Sequence, residues 1–285
     1  MTLATRHKTA LARLAVEPVI AARRLAGRGP ELEATRRGIR WRLDLREGID
    51  FAIWLLGAFE PGTRRTYSRM IGSGDVVVDV GANIGAHTLQ FAKLVGGGGR
   101  VIALEPTKFA FAKLETNLRL NPGLAARVTA EQAALVSAPG ASLPVELYAS
   151  WPLGSGDQLH PKHRGKALST EGARAATLDE LLHDAGVDRV DLLKIDVDGH
   201  ECEVLRGAGA TLAEHGPPIL LEIAPYIFED AGSSVGELVD LLADAGYSLF
   251  TLGGSRPLPS NPQELSAQIP DGGSINAVAE RQPVA

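Results

Sequence analysis

The chain has 285 residues, with 29 Lys or Arg against 34 Asp or Glu, a net charge of −5 and one cysteine, Cys202. One cysteine excludes an internal disulfide framework, and no apolar run approaches the ~20 residues that cross a bilayer. Arginines interrupt every candidate secretory segment, so we expect a soluble, cytoplasmic enzyme. The first 42 residues hold ten Arg or Lys against three acidic residues. The rest is therefore acidic, which disfavours nucleic acid as a partner.

Residues 1–37 are predicted to form a basic, helical N-terminal extension. Apolar residues and arginines alternate with helical spacing over residues 9–25, and Pro18 is expected to break or kink that helix. The favoured interpretation is a solvated helix that packs loosely on the body or on a second subunit of a homo-oligomer. A weak contact with an anionic membrane surface is the alternative.

Residues 38–72 are predicted to form a cap over a ligand site. Residues 39–45 resemble a short strand, and the apolar run 51–59 is too short to span a membrane, so it suits a helix or turn. Glu60 follows that run, just before Pro61-Gly62-Thr63. On residue type alone it is as easily an exposed turn acid as a ligand-binding group.

A strand, tight turn, helix and second strand over residues 75–105 predict a nucleotide-binding βαβ unit. The turn is Gly81-Ala82-Asn83-Ile84-Gly85, with Asp79 two residues before it. A pyrophosphate would be repelled by that carboxylate, whereas an ammonium group could donate to it directly or through water. Glu105 lies about 20 residues beyond the turn, where an acid holds ribose hydroxyls. The ligand is then a ribose with a positive amine and no phosphate, which fits S-adenosylmethionine (SAM).

The next segments alternate helix and strand. A helix is predicted over about 108–120 and a third strand with its exit over 127–135, where Gln132 and Ala133 are candidates to line the adenine. Residues 137–176 are irregular, with an edge strand at 143–149 and a loop that suits substrate contact. That loop contains Trp151, His160, Lys162, His163 and Arg164, whose pattern does not predict a zinc site.

The C-terminal part supplies four more strands. Capping boxes at Thr177/Glu180 and Ser234/Glu237 begin helices, and another helix is predicted over 201–212. The strands are 190–196, 218–223, 247–252 and an antiparallel return at 274–279. A polar loop is expected over 256–273.

Four sequence blocks resemble one family. DVGANIG, ALEP, LLKIDVDGHECEVLRGA and ILLEI occur in the order typical of FkbM-family SAM-dependent methyltransferases, and the resemblance spans roughly residues 38–280. The family usually has Glu where this chain has Asp198. The resemblance implies an α/β, Rossmann-like class I methyltransferase domain over 73–280, followed by a tail at 281–285. Its mostly parallel sheet of seven strands would have the order 3-2-1-4-5-7-6. The resemblance also implies contact between Glu60 and the amino-acid end of SAM, and transfer to a hydroxyl of a sugar, glycan or secondary metabolite.

Asp196, Glu222 and His200 are the candidate catalytic residues. Asp196 and Glu222 end neighbouring strands, so both carboxylates should lie at one rim, and His200 follows four residues after Asp196. They could act as general base or as ligands of a divalent cation. A bound metal is not favoured, because imidazole is a poor ligand for a hard cation.

Three nearby residues have structural interpretations as well. Asp198 is expected to cap the following helix, with Glu201 at its third position. Lys194 could pair with Asp196 or lie on a solvated face. Cys202 is expected to be a small buried residue rather than a nucleophile.

Two other function classes remain open at this stage. One is a non-catalytic SAM-binding scaffold of a polysaccharide-assembly system, attached by the basic N-terminus. The other, an NAD-dependent oxidoreductase, is disfavoured by the glycine turn and by Asp79.

Overall fold

The computed structural model describes residues 5–149, 152–153, 165–254 and 256–282. The strands are β1 (Glu31–Arg36), β2 (Ile39–Asp44), β3 (Val76–Val80), β4 (Arg100–Leu104), β5 (Val128–Glu131), β6 (Ala133–Leu135), β7 (Glu146–Ala149), β8 (Lys166–Ser169), β9 (Arg174–Ala176), β10 (Leu192–Ile195), β11 (Ile219–Ile223), β12 (Tyr247–Thr251) and β13 (Ile275–Arg281). The helices are α1 (Thr5–Leu25), α2 (Gly48–Leu56), α3 (Pro61–Met70), α4 (Thr88–Leu94), α5 (Lys108–Arg119), α6 (Pro122–Ala125), α7 (Leu178–Asp184), α8 (Glu201–Arg206), α9 (Gly209–Glu214), α10 (Pro225–Phe228), α11 (Val235–Asp244) and α12 (Pro262–Ala267).

A seven-stranded sheet forms the centre of the molecule. Its strand order is β5-β4-β3-β10-β11-β13-β12, and β13 runs antiparallel to both of its neighbours. Numbered along the sheet strands alone, this is the expected 3-2-1-4-5-7-6. The α/β, Rossmann-like prediction is confirmed.

Both faces of the sheet are buried, which explains the nearly continuous apolar strands. Because successive side chains point to opposite faces, Val77 packs in one core cluster while Val78 and Val80 pack in another. The parallel register aligns Val80 of β3 with Leu104 of β4 and with Ile195 of β10. The carboxyl ends of these three strands therefore lie at one edge.

The N-terminal segment differs from its prediction. Helix α1 continues through Pro18. Proline has no N–H group, so the backbone carbonyl of Leu14, four residues earlier, lacks its helical donor. Leu14 is exposed, so water can donate to that carbonyl instead. Residues 31–36 lie within the segment predicted to be helical, yet they form β1 and pair with β2 across the expected boundary at 37/38. The domain boundaries, a membrane-surface contact and a homo-oligomer all stay predictions.

Several later elements are shorter than expected. Glu131 ends β5, and the chain then leaves the sheet as β6, which pairs with β9. The helix predicted over 201–212 is two helices, α8 and α9. Between them, Gly207 passes so close to Val136 that an added Cβ would lie 2.3 Å from its carbonyl oxygen. The loop at 256–273 contains α12. Strand β7 forms a hairpin with β8.

Of the two predicted capping boxes, one is complete. Thr177 accepts from the backbone N–H of Glu180, whose carboxylate accepts from the backbone N–H of Thr177 in return. Ser234 accepts from the backbone N–H of Glu237, but the carboxylate of Glu237 pairs with Arg206 instead. The second prediction was therefore half correct.

Two groups of residues singled out from the sequence remain to be located. Trp151, His160, Lys162, His163 and Arg164 lie outside the described residues. Cys202 is a buried free thiol, and burial raises its pKa to about 11, as suits the predicted packing role. Within the described ranges, no helix has the length and apolar character of a membrane span.

Candidate functional site

A cavity of about 520 Å³ opens at the carboxyl ends of β3, β4, β10 and β11. Its floor comes from these strand ends and its walls come from the α2–α3 connection and from the segment around β7. The lining includes Phe59, Glu60, Gly81, Ala82, Asn83, His87, Glu105, Thr107, Ala133, Ser142, Pro144, Leu147, Tyr148, Asp196, Asp198, His200 and Glu222. Five of these residues are acidic, and the cavity lies at the switch point of the sheet, where α/β proteins bind ligands.

The glycine turn between β3 and α4 is tightly packed. Gly81 has a φ of +78°, and a Cβ there would lie 1.8 Å from the carbonyl oxygen of Asp196. Gly85 has a φ of +88°, and its Cβ would lie 2.8 Å from Leu114. Gly81 and Asn83 line the cavity, as predicted for ligand-binding residues, whereas Gly85 lies behind it and supports the turn.

Glu105 closes the turn from the end of β4. Its carboxylate accepts from the backbone N–H of Asn83 at 2.9 Å and from the backbone N–H and hydroxyl of Thr107 at 2.9 and 2.6 Å. Burial raises the pKa of Glu105 despite those donors. The carboxylate is thus fixed in place at the cavity wall, with acceptor capacity left for ligand hydroxyls.

Asp79 does not line the cavity. It is fully buried, accepts from the hydroxyl of Thr88 at 2.6 Å and pairs with Lys194 Nζ at 3.0 Å. The same ammonium lies 3.6 Å from Asp196 and donates to the carbonyl of Gly81 at 3.1 Å. The ammonium that Asp79 contacts in the structure is that of Lys194, and its expected contact with a ligand ammonium stays a prediction.

Lys194 is therefore central to the site. The sequence left its side chain either paired or solvated, because one strand residue can face either side of a sheet. Burial alone would lower its pKa, but the charges of Asp79 and Asp196 outweigh this and raise the pKa of Lys194. A buried charge is stable only when it is paired, and here two carboxylates share it.

Three carboxyl groups converge at the cavity floor. Asp196 follows β10, Glu222 lies in β11 and Glu60 precedes α3, and all three line the cavity. Burial, followed by the charges of Asp196 and Glu60, raises the pKa of Glu222 well above its usual range. Burial and the charge of Asp196 also raise the pKa of Glu60, which accepts from Thr63 at 3.0 Å. This environment favours neutral carboxyls at Glu222 and Glu60 until a cation arrives.

The segment after Asp196 departs from the expected helix cap. His200 occupies the N-cap position of α8, and Asp198 stands two residues earlier in a left-handed conformation with a φ of +49°. Glu201 accepts from the backbone N–H of Val197 instead. Burial raises the pKa of Asp198 well above its usual range and that of Glu201 to about 7. Asp198 thus belongs to the cavity lining, and its assignment as a cap was wrong.

His200 also lines the cavity, and burial lowers its pKa. Within the described residues, no group of three or more His, Cys, Asp or Glu side chains is arranged to hold a metal ion. The cluster is instead an array of carboxyls around one lysine.

Ala133 and Gln132, both predicted to line the adenine, separate in the structure. Ala133 lines the cavity. Gln132 turns away, donating to the carbonyls of Pro106 at 3.2 Å and Glu171 at 2.9 Å. The chain bends between β5 and β6, so Gln132 does not line the cavity, and a contact of either residue with adenine stays a prediction.

Backbone strain is concentrated around the cavity. Among the described residues, four non-glycine residues have positive φ, and three of them, Glu60, Asn83 and Asp198, line the cavity. Such conformations cost about 1–3 kcal/mol each and persist where function requires them. His87 is a further lining residue that the sequence did not single out, because a histidine after a glycine turn has no distinctive spacing.

Comparison with known proteins identifies a family. The family model described as the methyltransferase FkbM domain matches residues 79–249. The methyltransferase sdnD of Sordaria araneosa is 32% identical over 62% of this chain and 75% of its own length. The 31-O-demethyl-FK506 methyltransferase FkbM of Streptomyces tacrolimicus is 30% identical over 62% of this chain and 74% of its own. The hexuronic acid methyltransferase AglP of Haloferax volcanii is 32% identical over 47% of this chain and 49% of its own.

Proposed function

The chain belongs to the FkbM methyltransferase family, and from that premise we propose that this SAM-dependent enzyme methylates a hydroxyl of a sugar, glycan or secondary metabolite. The convergence of Asp196 and Glu222 in one cavity is the observation that carries the proposal. A hydroxyl, unlike a more acidic acceptor, needs a group to take its proton. The relatives named for 31-O-demethyl-FK506 and for hexuronic acid are consistent with oxygen-bearing acceptors.

The acidic lining fits SAM. A cavity of about 520 Å³ is in the size range of small-molecule sites. SAM carries an ammonium and a sulfonium but no phosphate, and its ammonium would meet Glu60. Glu105, with Asn83 and the glycine turn beside it, would hold the ribose hydroxyls, and Ala133 would contact the adenine.

The side chains divide the remaining work. SAM, when bound, supplies a methyl group already activated by its sulfonium. Asp196 is the proposed general base for the acceptor hydroxyl, and Lys194 fixes its position through their contact at 3.6 Å. Glu222, with a raised pKa, would begin as a neutral donor that holds the acceptor oxygen. Orientation and one proton acceptor are enough for an in-line transfer.

A divalent cation is not favoured in this proposal. Asp196 and Glu222 are two hard oxygen ligands, but their space also contains Glu60 and the nearby Lys194 ammonium. His200 would have to complete the set, and hard cations prefer oxygen.

The proposal is tested by methyl transfer from isotopically labelled SAM to a panel of acceptors. The panel should contain uronic acids, neutral sugars, hydroxylated secondary metabolites and matched amines. We expect the labelled methyl group to appear on a hydroxyl acceptor as a methyl ether. Exclusive methylation of amines, or of no member of a broad hydroxyl panel by protein that binds SAM, contradicts the proposed acceptor class.

The non-catalytic scaffold alternative has no observation in its favour. It would explain SAM binding but not why two strand-end carboxyls share the cavity with it.

A further inference from the structure

His87 is a buried histidine whose side chain reaches the cavity. It precedes α4, is 4% exposed and lines the cavity next to Glu60. Its ring stacks on Phe91, with centroids 6.1 Å apart, and meets the edge of Tyr67 at 5.6 Å. Burial, with the charge of Lys194, lowers the pKa of His87 to about 4. The imidazole is therefore neutral at physiological pH and rigidly held.

The neighbours of His87 determine its tautomer. Nδ1 lies 3.4 Å from the hydroxyl of Tyr67. That hydroxyl is buried, and burial raises the pKa of Tyr67, so it keeps its proton. A buried hydroxyl donates its proton to an available acceptor, and Nδ1 is the one at hand. We assign Nδ1 as the acceptor of that hydroxyl, which places the ring proton of His87 on Nε2.

Among the residues that the structure describes, the Nε2–H group has no hydrogen-bond partner. Glu60 Oε2 lies 3.9 Å away, beyond hydrogen-bond distance. Leaving a buried donor unpaired costs about 1–3 kcal/mol. A neutral donor in this position is suited to an acceptor atom that enters the cavity beside Glu60.

The glycine turn cannot supply donors for such an acceptor. The backbone N–H groups of Gly81 and Ala82 donate to the carbonyl of Leu104, and that of Gly85 donates to Ala82. Those of the two intervening residues donate to Glu105 and to the side chain of Asn83. All five turn amides are occupied, so an anionic ligand group needs a donor from elsewhere.

We propose that the Nε2–H of His87 donates to the carboxylate at the amino-acid end of SAM, while Glu60 accepts from the ammonium of the same end. The contact rests on the proposed function. It makes His87 a specificity-determining residue that recognises the amino-acid end as a whole, carboxylate as well as ammonium. A lysine in its place would instead pair with Glu60, whereas a neutral imidazole held by Tyr67 stays directed at the ligand.

Binding of three ligands tests the contact. S-adenosylhomocysteine has both charged groups, decarboxylated SAM keeps the ammonium but lacks the carboxylate, and 5′-methylthioadenosine lacks both. By calorimetry, His87→Phe should weaken S-adenosylhomocysteine binding roughly 10–100-fold, as expected for a lost charge-assisted hydrogen bond. It should leave the other two affinities within about twofold. Glu60→Gln should instead weaken binding of decarboxylated SAM.

Two further variants keep the test independent of folding. His87→Gln restores a donor near the Nε2 position and should recover most of the S-adenosylhomocysteine affinity. Tyr67→Phe removes the hydroxyl but keeps the ring, and should have a smaller effect than His87→Phe. Thermal unfolding without ligand would verify that each variant is folded.

Three results would overturn the inference. Equal weakening of all three ligands by His87→Phe would give His87 a packing role only. Weakening of decarboxylated SAM as much as S-adenosylhomocysteine would mean that His87 acts through Glu60. If the wild-type protein binds 5′-methylthioadenosine as tightly as it binds the two charged ligands, it makes no contact with their charged groups and the inference is wrong. If it binds none of the three ligands, the proposed function itself is wrong.

Discussion

The carboxylate of Asp196 lies between the cavity and a buried lysine. One side faces the cavity, and the other lies 3.6 Å from the ammonium of Lys194. Lys194 also pairs with Asp79, so the lysine stays compensated when Asp196 takes up a proton. This arrangement lets Asp196 change its charge without leaving a buried cation unpaired.

Asp196→Asn should therefore abolish proton transfer while preserving shape. Turnover on a verified acceptor should fall about 10²–10⁴-fold, the usual contribution of a general base. S-adenosylhomocysteine affinity should change little, since Asn keeps the volume. Steady-state kinetics and calorimetry measure the two quantities, with Asp244→Asn on the exposed surface of α11 as the control.

A chelator distinguishes a general-base role of Asp196 from a metal-binding role. If Asp196 acts as a base, EDTA leaves turnover unchanged. If turnover is lost in EDTA and returns with Mg²⁺ or Mn²⁺, Asp196 instead belongs to a metal site, and near-wild-type turnover of Asp196→Asn would remove it from the mechanism.

Glu105 is expected to matter for binding and for folding. Glu105→Ala removes the acceptor for three buried donors, on Asn83 and Thr107, as well as the proposed ribose contact. Cofactor affinity should fall by about 1–3 kcal/mol, and the melting temperature of the ligand-free protein should fall as well. Calorimetry and thermal denaturation measure these effects, and Glu115→Ala on the exposed face of α5 is the matched control. Unchanged affinity would exclude Glu105 from the cofactor site.

At the scale of elements, α1 is attached to the body by one face. Val16 is 3% exposed and packs in a cluster with Leu45 and Phe51. Leu14, on the same helix, is 71% exposed. The helix therefore has a buried face and an apolar exposed face.

These two residues provide a matched pair of substitutions. Val16→Ala should lower the free energy of unfolding by about 1–3 kcal/mol, because it removes buried methyl groups and leaves a cavity. Leu14→Ala should change it by less than about 0.5 kcal/mol. Urea denaturation measures both, and equal effects would mean that α1 does not pack on the body as described.

The elements that sequence predicted well are those with a local signal. The segments that became β3, β4, β10 and β11 are short, nearly continuous apolar runs, and the Thr177 box is a local hydrogen-bond pattern. The elements that the sequence predicted poorly depend on contacts that the local sequence does not show. Gly207, between α8 and α9, packs against the backbone of Val136, and Pro18 lies within α1, four residues after the exposed Leu14. The local sequence shows neither environment.

The same distinction applies to the site. Gly81, Asn83, Glu105, Asp196 and Glu222 could be predicted because strand ends and turns are readable from sequence. The partner of Asp79 could not, since Lys194 is far along the chain and reaches it only through the parallel β3–β10 pairing. Asp198 and His87 likewise acquire their positions from backbone conformation and aromatic packing rather than from a motif.

For the whole molecule, the cluster of buried carboxyls links stability to pH. Burial raises the pKa of Glu201 from 4.5 to about 7, so the folded state holds a proton that the unfolded state loses. The stabilising contribution is complete below about pH 4.5 and disappears as pH rises through about 7. Glu60, Glu105, Asp198 and Glu222 shift in the same direction, while His87 opposes them, since its pKa is lowered.

Glu201→Gln isolates one member of this cluster. The neutral amide resembles the protonated acid, so the variant should equal wild type near pH 4 and become more stable than it by about 1–3 kcal/mol near pH 8. Denaturation of the ligand-free protein across this range measures the difference. Glu214→Gln, at an exposed position, should show no such dependence, and a pH-independent effect of Glu201→Gln would contradict the assignment.

The pairing of β6 with β9 has a further consequence. Ala133 lies beside Arg174 and Leu135 beside Ala176, so residues 136–173 leave and rejoin the body at neighbouring points. The cavity wall at Ser142, Pro144, Leu147 and Tyr148 belongs to this excursion, whereas the floor belongs to the sheet. A segment with adjacent ends is geometrically an insertion, which can be exchanged without stretching its surroundings. Under the proposed function, exchanging this segment would change the cavity wall that faces the acceptor and leave the sheet floor that faces the cofactor in place.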